Sequence, residues 1–201
     1  MSLKICQIYK INIEDSLIIH INSNTNLYLI LEGALIISKV FTNQEILTLG
    51  ILTSQDIVSI YFDDISLPNY FYQVQAISET YIVSININHA KFFQEMIGIQ
   101  YKKTWIKYQT MIEILVHKNI KNRLVHLLLV LSETFGITNS KQIYINLTLS
   151  YYTIAIIIGS NRNTIGQIIN NLQKKKLIVY NINQIVILNL IKLSSYKYDP
   201  S

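Results

Sequence analysis

Apolar residues in the first ninety positions recur with a period close to two, in short runs cut by polar turns. Leu17 to Ile21, Leu27 to Leu31, Ala34 to Phe41, Glu45 to Leu49, Tyr70 to Ala76 and Tyr81 to Ile85 all fit strands of an antiparallel sheet. Between them stand Asn22-Ser23-Asn24, Glu32-Gly33 and Leu67-Pro68-Asn69, residue types that turn a chain. Many short strands at that spacing predict a sandwich or barrel, with an antiparallel jelly roll as one option. From Asn88 the period lengthens to that of a helix. A short helix is expected around His89 to Met96. After it Tyr101, Trp105, Tyr108, Ile112 and Leu115 follow one another at alternating steps of four and three. Such a seam either receives a partner helix or lies on the chain's own barrel.

A new helix is expected from Ile120, with Leu124, Leu127, Leu128 and Leu131 on one face and Phe135-Gly136 as its C-terminal cap. A short strand, Gln142 to Leu147, then leads to the most informative stretch, Leu149 to Ile178. Ile154, Ile157 and Ile158 sit at helical spacing before Gly159, and Ile165, Ile168, Ile169 and Leu172 sit at helical spacing after it. The pattern predicts two short helices joined by a tight turn at Gly159, with Ser150 as the N-cap of the first. Ser160, Asn161, Arg162 and Asn163 fall where the second helix begins, and Arg162, Asn163, Gly166 and Gln167 are left for its outer face. An ordinary helical hairpin has the same apolar pattern. A helix-turn-helix would use those side chains to reach base edges in the major groove. Leu177 to Tyr180 and Ile185 to Leu188 flank Asn181-Ile182-Asn183-Gln184 and predict a hairpin wing, so this part reads as a winged helix.

Charge favours the nucleic-acid reading. Positions 118 to 201 carry a net +8 and positions 1 to 117 a net −3, within a total of +5. A basic half that also holds the helix pair suits a partner with a phosphate backbone. Half of the 201 residues are hydrophobic, so a core is assured, yet the longest apolar runs are too short to span a bilayer. The one cysteine, Cys6, excludes an internal disulfide or a thiolate cluster and reads as a small apolar residue of an early strand. No secretory signal stands at the start of the chain. Heavy use of Ile, Tyr, Asn and Lys reflects AT-rich codons, as in organelles and some bacteria. The four histidines (His20, His89, His117, His126) are scattered, with no His-x-His pair.

Sandwich, long helix and winged helix-turn-helix, in that order, resemble the catabolite-activator/FNR family of transcription regulators, and within it the nitrogen-regulator (NtcA) branch of cyanobacteria and algal plastids. The likeness is most specific over Met111 to Gly136 and over the LTLS…IAIIIGSNRNTIGQIINNLQKKKLI segment. It is weaker over LYLILEGALIISKV and Asp56-Ile57-Val58. It implies an α+β fold: a jelly-roll sensor-like domain (1–87), a dimerisation helix region (88–118) with the seam named above, and a DNA-binding domain (119–201). It further implies a homodimer on two-fold-symmetric duplex DNA, contact with RNA polymerase, and a place in the plastid stroma or the bacterial cytoplasm.

By the same resemblance Arg162 opens the recognition helix and Thr164 meets a phosphate. Asn163 stands where the catabolite activator has an acid, and Gln167 replaces an Arg. Arginine suits guanine O6/N7, whereas Asn and Gln suit adenine N6/N7. Lys174, Lys175 and Lys176 read either as phosphate contacts or as a solvated face, and Ser150 and Tyr151 as backbone contacts. The effector-pocket positions fall at Val58, Ser59, Ile60, Tyr70, Thr104 and Gln109. Where the cyclic-nucleotide branch has Gly-Glu and Arg-Ser pairs, this chain has Ser59-Ile60 and Tyr70-Phe71, which offer no cation to a buried phosphate. Tyr70, Thr104 and Gln109 occupy the Arg, Arg and Glu positions of the 2-oxoglutarate sensors. A dicarboxylate needs positive donors, and the nearest on the helix are Lys102, Lys103 and Lys107. The expectation is therefore a degenerate effector pocket with no cyclic nucleotide, and altered sensing if 2-oxoglutarate is sensed at all. A protein-binding module using the helix-turn-helix surface is the alternative. A cupin-like enzyme would require the clustered metal ligands that the scattered histidines do not supply.

Overall fold

Alternating side chains close the N-terminal strands into a two-sheet roll. The strands are β1 (Cys6–Ile11), β2 (Ser16–Ile19), β3 (Asn26–Glu32), β4 (Ala34–Phe41), β5 (Ile46–Thr53), β6 (Ile57–Val58), β7 (Tyr70–Ala76) and β8 (Thr80–Asn86). One antiparallel sheet has the order β1-β8-β3-β6, the other β2-β7-β4-β5. The coordinates are a computed structural model, which describes residues 6–19, 26–58, 69–86 and 94–196. In β7 the period of two is plain: Tyr72, Val74 and Ala76 point inward, and Phe71, Gln73 and Gln75 are only partly covered. With Ile30, Leu35, Ile37, Leu52 and Ile82 they form the core between the sheets. Each of the buried Ile, Leu and Val side chains taken from water contributes about 1.5–3 kcal/mol. Cys6 lies exposed on the edge strand β1 rather than in a core.

Helix α1 (Gln94–Val116) follows. The short helix expected around His89 to Met96 falls mostly outside the described residues, which resume at Gln94. Tyr101 packs on Leu27, Ile57, Ile85 and Ile97, and Tyr108 packs on the core between the sheets. The sequence-derived seam thus straddles two faces. Tyr101 and Tyr108, with buried Thr104, cover the roll, whereas Trp105 (61% exposed), Ile112 (66%) and Val116 (73%) stay in solvent. The physical reason is that steps of four and three recur on either edge of a helical stripe, so spacing alone does not say which side is covered. Leu115 is half-buried.

The chain divides into two compact units, 1–112 and 113–201, so the boundary falls inside α1. The second unit holds α2 (Ile120–Phe135), β9 (Gly136–Asn139), β10 (Gln142–Ile145), α3 (Tyr151–Ile158), α4 (Arg162–Lys174), β11 (Ile178–Asn181), β12 (Gln184–Ile187) and α5 (Leu190–Ser194). Its sheet runs β11-β12-β10-β9. Leu124, Leu127, Leu128 and Leu131 of α2 are buried together with Ile154, Ile157, Ile158, Ile165, Ile169 and Leu172. Gly136 ends α2 differently from the expected left-handed cap. Its backbone is extended (φ −72°, ψ 128°), and it starts β9. A side chain there would overlap the Ser132 carbonyl and Ile143, so the glycine answers to space rather than to φ.

Candidate nucleic-acid interface

Local hydrogen bonding builds the α3–α4 corner. The Ser150 hydroxyl accepts the Thr153 backbone N–H at 3.0 Å and caps α3. Gly159 takes the left-handed conformation (φ 64°, ψ 56°) that a residue with a Cβ enters only at a cost, and there the chain turns. The amides of Gly159 and Ser160 return to the carbonyls of Ile156 and Ala155. Asn161 is the N-cap of α4, its side-chain oxygen accepting the Thr164 N–H at 2.8 Å. That oxygen is therefore committed, and Arg162 is the first residue of the helix. From α2, Arg123 donates through Nη1 to the Ile158 carbonyl (3.0 Å) and through Nε to the His117 carbonyl (2.7 Å), fixing the end of α3.

The buried face of α4 is Ile165, Ile169 and Leu172. Arg162, Asn163 and Gln167 are exposed, while Ser160, Thr164 and Gly166 are half-buried. Gly166 lies beside Tyr151: a Cβ there would be 3.4 Å from the ring, an ordinary contact. The Tyr151 ring stacks on Tyr180 of the wing (4.8 Å between centroids, 24° between planes), and the Tyr180 hydroxyl donates to the Leu149 carbonyl at 2.7 Å. Burial, with Tyr151 adding to it, pushes the Tyr180 hydroxyl up to about 12. Tyr151 thus ties α3 to α4 and the wing, and Ser150 is occupied as a cap. One further exposed residue shares this face and was not singled out by sequence: Asn170 lies seven positions beyond Asn163, two helical turns along α4. Continuing the i+3, i+4 step past Gln167 would have found Asn170.

Electrostatics set Arg162 apart. The first turn of α4 holds no acid, and an arginine sits at the positive end of the helix dipole, against the usual preference of ~0.3–1 kcal/mol. A cation placed there gains nothing within the fold and is held where a phosphate or a base edge would meet it. At the other end Lys174 and Lys176 are exposed. Lys175 lies over the Tyr196 ring at 4.8 Å, and Lys121 lies over the same ring at 3.8 Å. Burial raises the Tyr196 hydroxyl, but the two ammonium groups outweigh it and the net shift is downward. Lys175 is thereby engaged within the fold. The wing tip is held as well: the Leu149 N–H donates to the Ile182 carbonyl at 2.8 Å, and Thr148 bonds Asn183.

Three of the sensor-like positions, Thr104, Val58 and Tyr70, pack within the roll. Thr104 is buried; its hydroxyl accepts the Ile57 N–H at 2.9 Å and donates to Asp56 at 3.3 Å, tethering α1 to β6. Val58 is buried opposite Tyr28. The Tyr70 ring meets Phe41 and Tyr72 edge-on, with the Lys39 ammonium 4.2 Å from its centroid. Gln109 is exposed, and Ser59 and Ile60 lie outside the described residues.

A Crp-like helix-turn-helix domain model matches residues 122–196. The chain is similar to a putative HTH-type transcriptional regulator, ycf28, of Porphyra purpurea, 37% identical over 190 residues that cover 87% of this chain and 78% of the relative. It is 30% identical over 182 residues to the global nitrogen regulator of Synechococcus elongatus, covering 83% of this chain and 79% of the relative. Among solved structures, a CRP-family transcriptional regulator of Thermus thermophilus superposes with a TM-score of 0.74 at 17% identity, over 93% of this chain and 95% of that one. CooA of Carboxydothermus hydrogenoformans, as a double mutant, gives 0.73 at 23% identity, over 96% of this chain and 88% of that one.

Proposed function

The chain belongs to the Crp-like family of helix-turn-helix transcriptional regulators, and from that premise we propose that it acts as a homodimer on a two-fold-symmetric duplex site. The observation that carries this reading is the corner at Gly159, which leaves Arg162, Asn163 and Gln167 exposed on one face of α4. Each copy lays α4 in a major groove, Arg162 reading guanine and the amides of Asn163, Gln167 and Asn170 reading adenine. Thr164, Lys174 and Lys176 supply phosphate contacts. The exposed apolar face of α1 supports self-association: Trp105, Ile112 and Val116 meet their counterparts across the two-fold axis, which spaces the half-sites about 34 Å apart.

Nitrogen-related genes are the proposed targets, in line with the relatives' names, and the plastid stroma or the bacterial cytoplasm is the proposed setting. Among the described residues no helix is long and apolar enough to cross a membrane. Contact with RNA polymerase belongs to the same proposal. Sensing is altered, because Tyr70 and Thr104 are built into local packing and present no cation for a dicarboxylate. Selection of duplexes from a random pool, with and without 2-oxoglutarate, tests both parts. A palindromic operator enriched equally in both arms is expected; no enrichment above random sequence would refute DNA reading, and a site that appears only with 2-oxoglutarate would refute altered sensing.

A further inference from the structure

His117 and His126 are nine positions apart, on different elements, yet the fold brings His117 Nε2 to 3.1 Å from His126 Nδ1. Their rings meet edge-on, with centroids 5.3 Å apart and planes at 72°. His117 lies in the loop between α1 and α2, and His126 in the second turn of α2. Together they line a cleft of about 400 Å³ with Asn119, Asn122, Ser195 and Tyr196. Both imidazoles are half-buried. The backbone at His117 is held by Arg123 through the bond to its carbonyl. Burial, and then His117, lower the His126 pKa, against the carboxylates of Glu113 and Glu133. Neutral imidazole is the form that binds metal.

We propose that His117 and His126 form a two-imidazole site for a late first-row divalent metal ion such as Zn2+. The spacing carries it. An ion held about 2.05 Å from each nitrogen, the usual Zn–N length, would see two nitrogens 3.1 Å apart at an angle of about 98°. That lies between the right angle of octahedral or square geometry and the tetrahedral angle. Both facing nitrogens must then be unprotonated, so His117 carries its proton on Nδ1 and His126 on Nε2. The N–H that joins the rings in the free protein moves to an outer nitrogen. Among the described residues no group of three or more histidine, cysteine or acidic side chains converges closely enough to hold an ion, so water and the amide and hydroxyl oxygens of the cleft would complete the sphere. Such a site favours ions with strong imidazole affinity and rejects Mg2+ and Ca2+, which want several oxygen anions. The bound ion would clasp the loop after α1 to α2, the helix whose Arg123 holds the end of α3.

Calorimetric titration of Zn2+ into the full chain near neutral pH is expected to show one saturable site per chain, and Mg2+ none. Affinity should fall at least ~10-fold in His117→Ala and in His126→Ala, and persist in the His20→Ala/His89→Ala double variant. Because alanine can loosen the cleft, His126→Gln serves as a second variant that keeps a hydrogen-bonding group beside His117; it too should lose the ion while retaining the wild-type circular dichroism. Cu2+ bound to the wild type should show two nitrogen ligands by electron paramagnetic resonance. Folded wild type that fails to saturate with Zn2+, or binding that survives His126→Gln or both alanine changes, would overturn the proposal.

Discussion

At the scale of single residues, function and stability separate most sharply at Arg162. It is exposed, sits at the wrong end of a helix dipole and makes no contact that stabilises α4, so Arg162→Ala should leave thermal unfolding unchanged or slightly raised. If Arg162 reads guanine as proposed, the same change costs ~1–3 kcal/mol, a loss of roughly 5- to 150-fold in operator affinity, measurable by fluorescence anisotropy. A parallel fall in melting temperature would mean that the residue is structural. His126 gives a second prediction. Its folded pKa lies below the unfolded value of 6.5, so the unfolded chain takes up more protons as the pH drops. Its contribution is whole above the unfolded pKa and declines as the pH falls toward the folded one. Between about pH 7.5 and about pH 5.5 the wild type should therefore lose more thermal stability than His126→Gln does.

Elements are held chiefly by their ends. Helix α4 starts on Asn161 and stops in a Schellman motif, with the Leu177 N–H on the Leu172 carbonyl and the Lys176 N–H on that of Gln173. Lys176 takes the left-handed position of that motif (φ 53°), normally a glycine's. Lys176→Gly should raise stability to denaturant by about 1 kcal/mol and, if the proposed phosphate contact is real, lower DNA affinity and flatten its salt dependence. Stabilisation without any change in salt dependence would assign Lys176 to the solvated face. These caps were legible: Ser150 and Gly159 stand out because their side chains, or lack of one, suit only a few backbone conformations. The end of α2 was not, since Gly136 serves close approach to Ser132 and Ile143, a demand that arises only once β9 and β10 fold back.

For the whole molecule the decisive surface is the exposed face of α1. Trp105, Ile112 and Val116 stand in solvent in the single chain, and an apolar stripe on a long helix is unfavourable there unless something covers it. Ile112→Asp should yield monomers by light scattering and abolish binding to a palindromic site while sparing the fold of either unit. A monomeric wild type at concentrations well above its operator affinity would reject the dimer. Two-sheet roll, long helix and winged corner were all readable from hydrophobic periodicity, because periods of two and 3.6 are imposed by backbone geometry before any contact is made.

Local order is what the chain encodes on its own: where strands and helices run, where α3 turns at Gly159, and which residues open α4. These depend on φ, ψ and hydrogen bonds within a few positions, so a linear pattern records them. Tertiary structure decided the rest. It chose which edge of the α1 stripe meets the roll, turned Thr104 into a tether, stacked Tyr151 on Tyr180, drew Lys175 onto Tyr196, and brought His117 to His126. Each of these is a meeting of residues from separate elements, and periodicity within one element carries no information about what the next one lays against it.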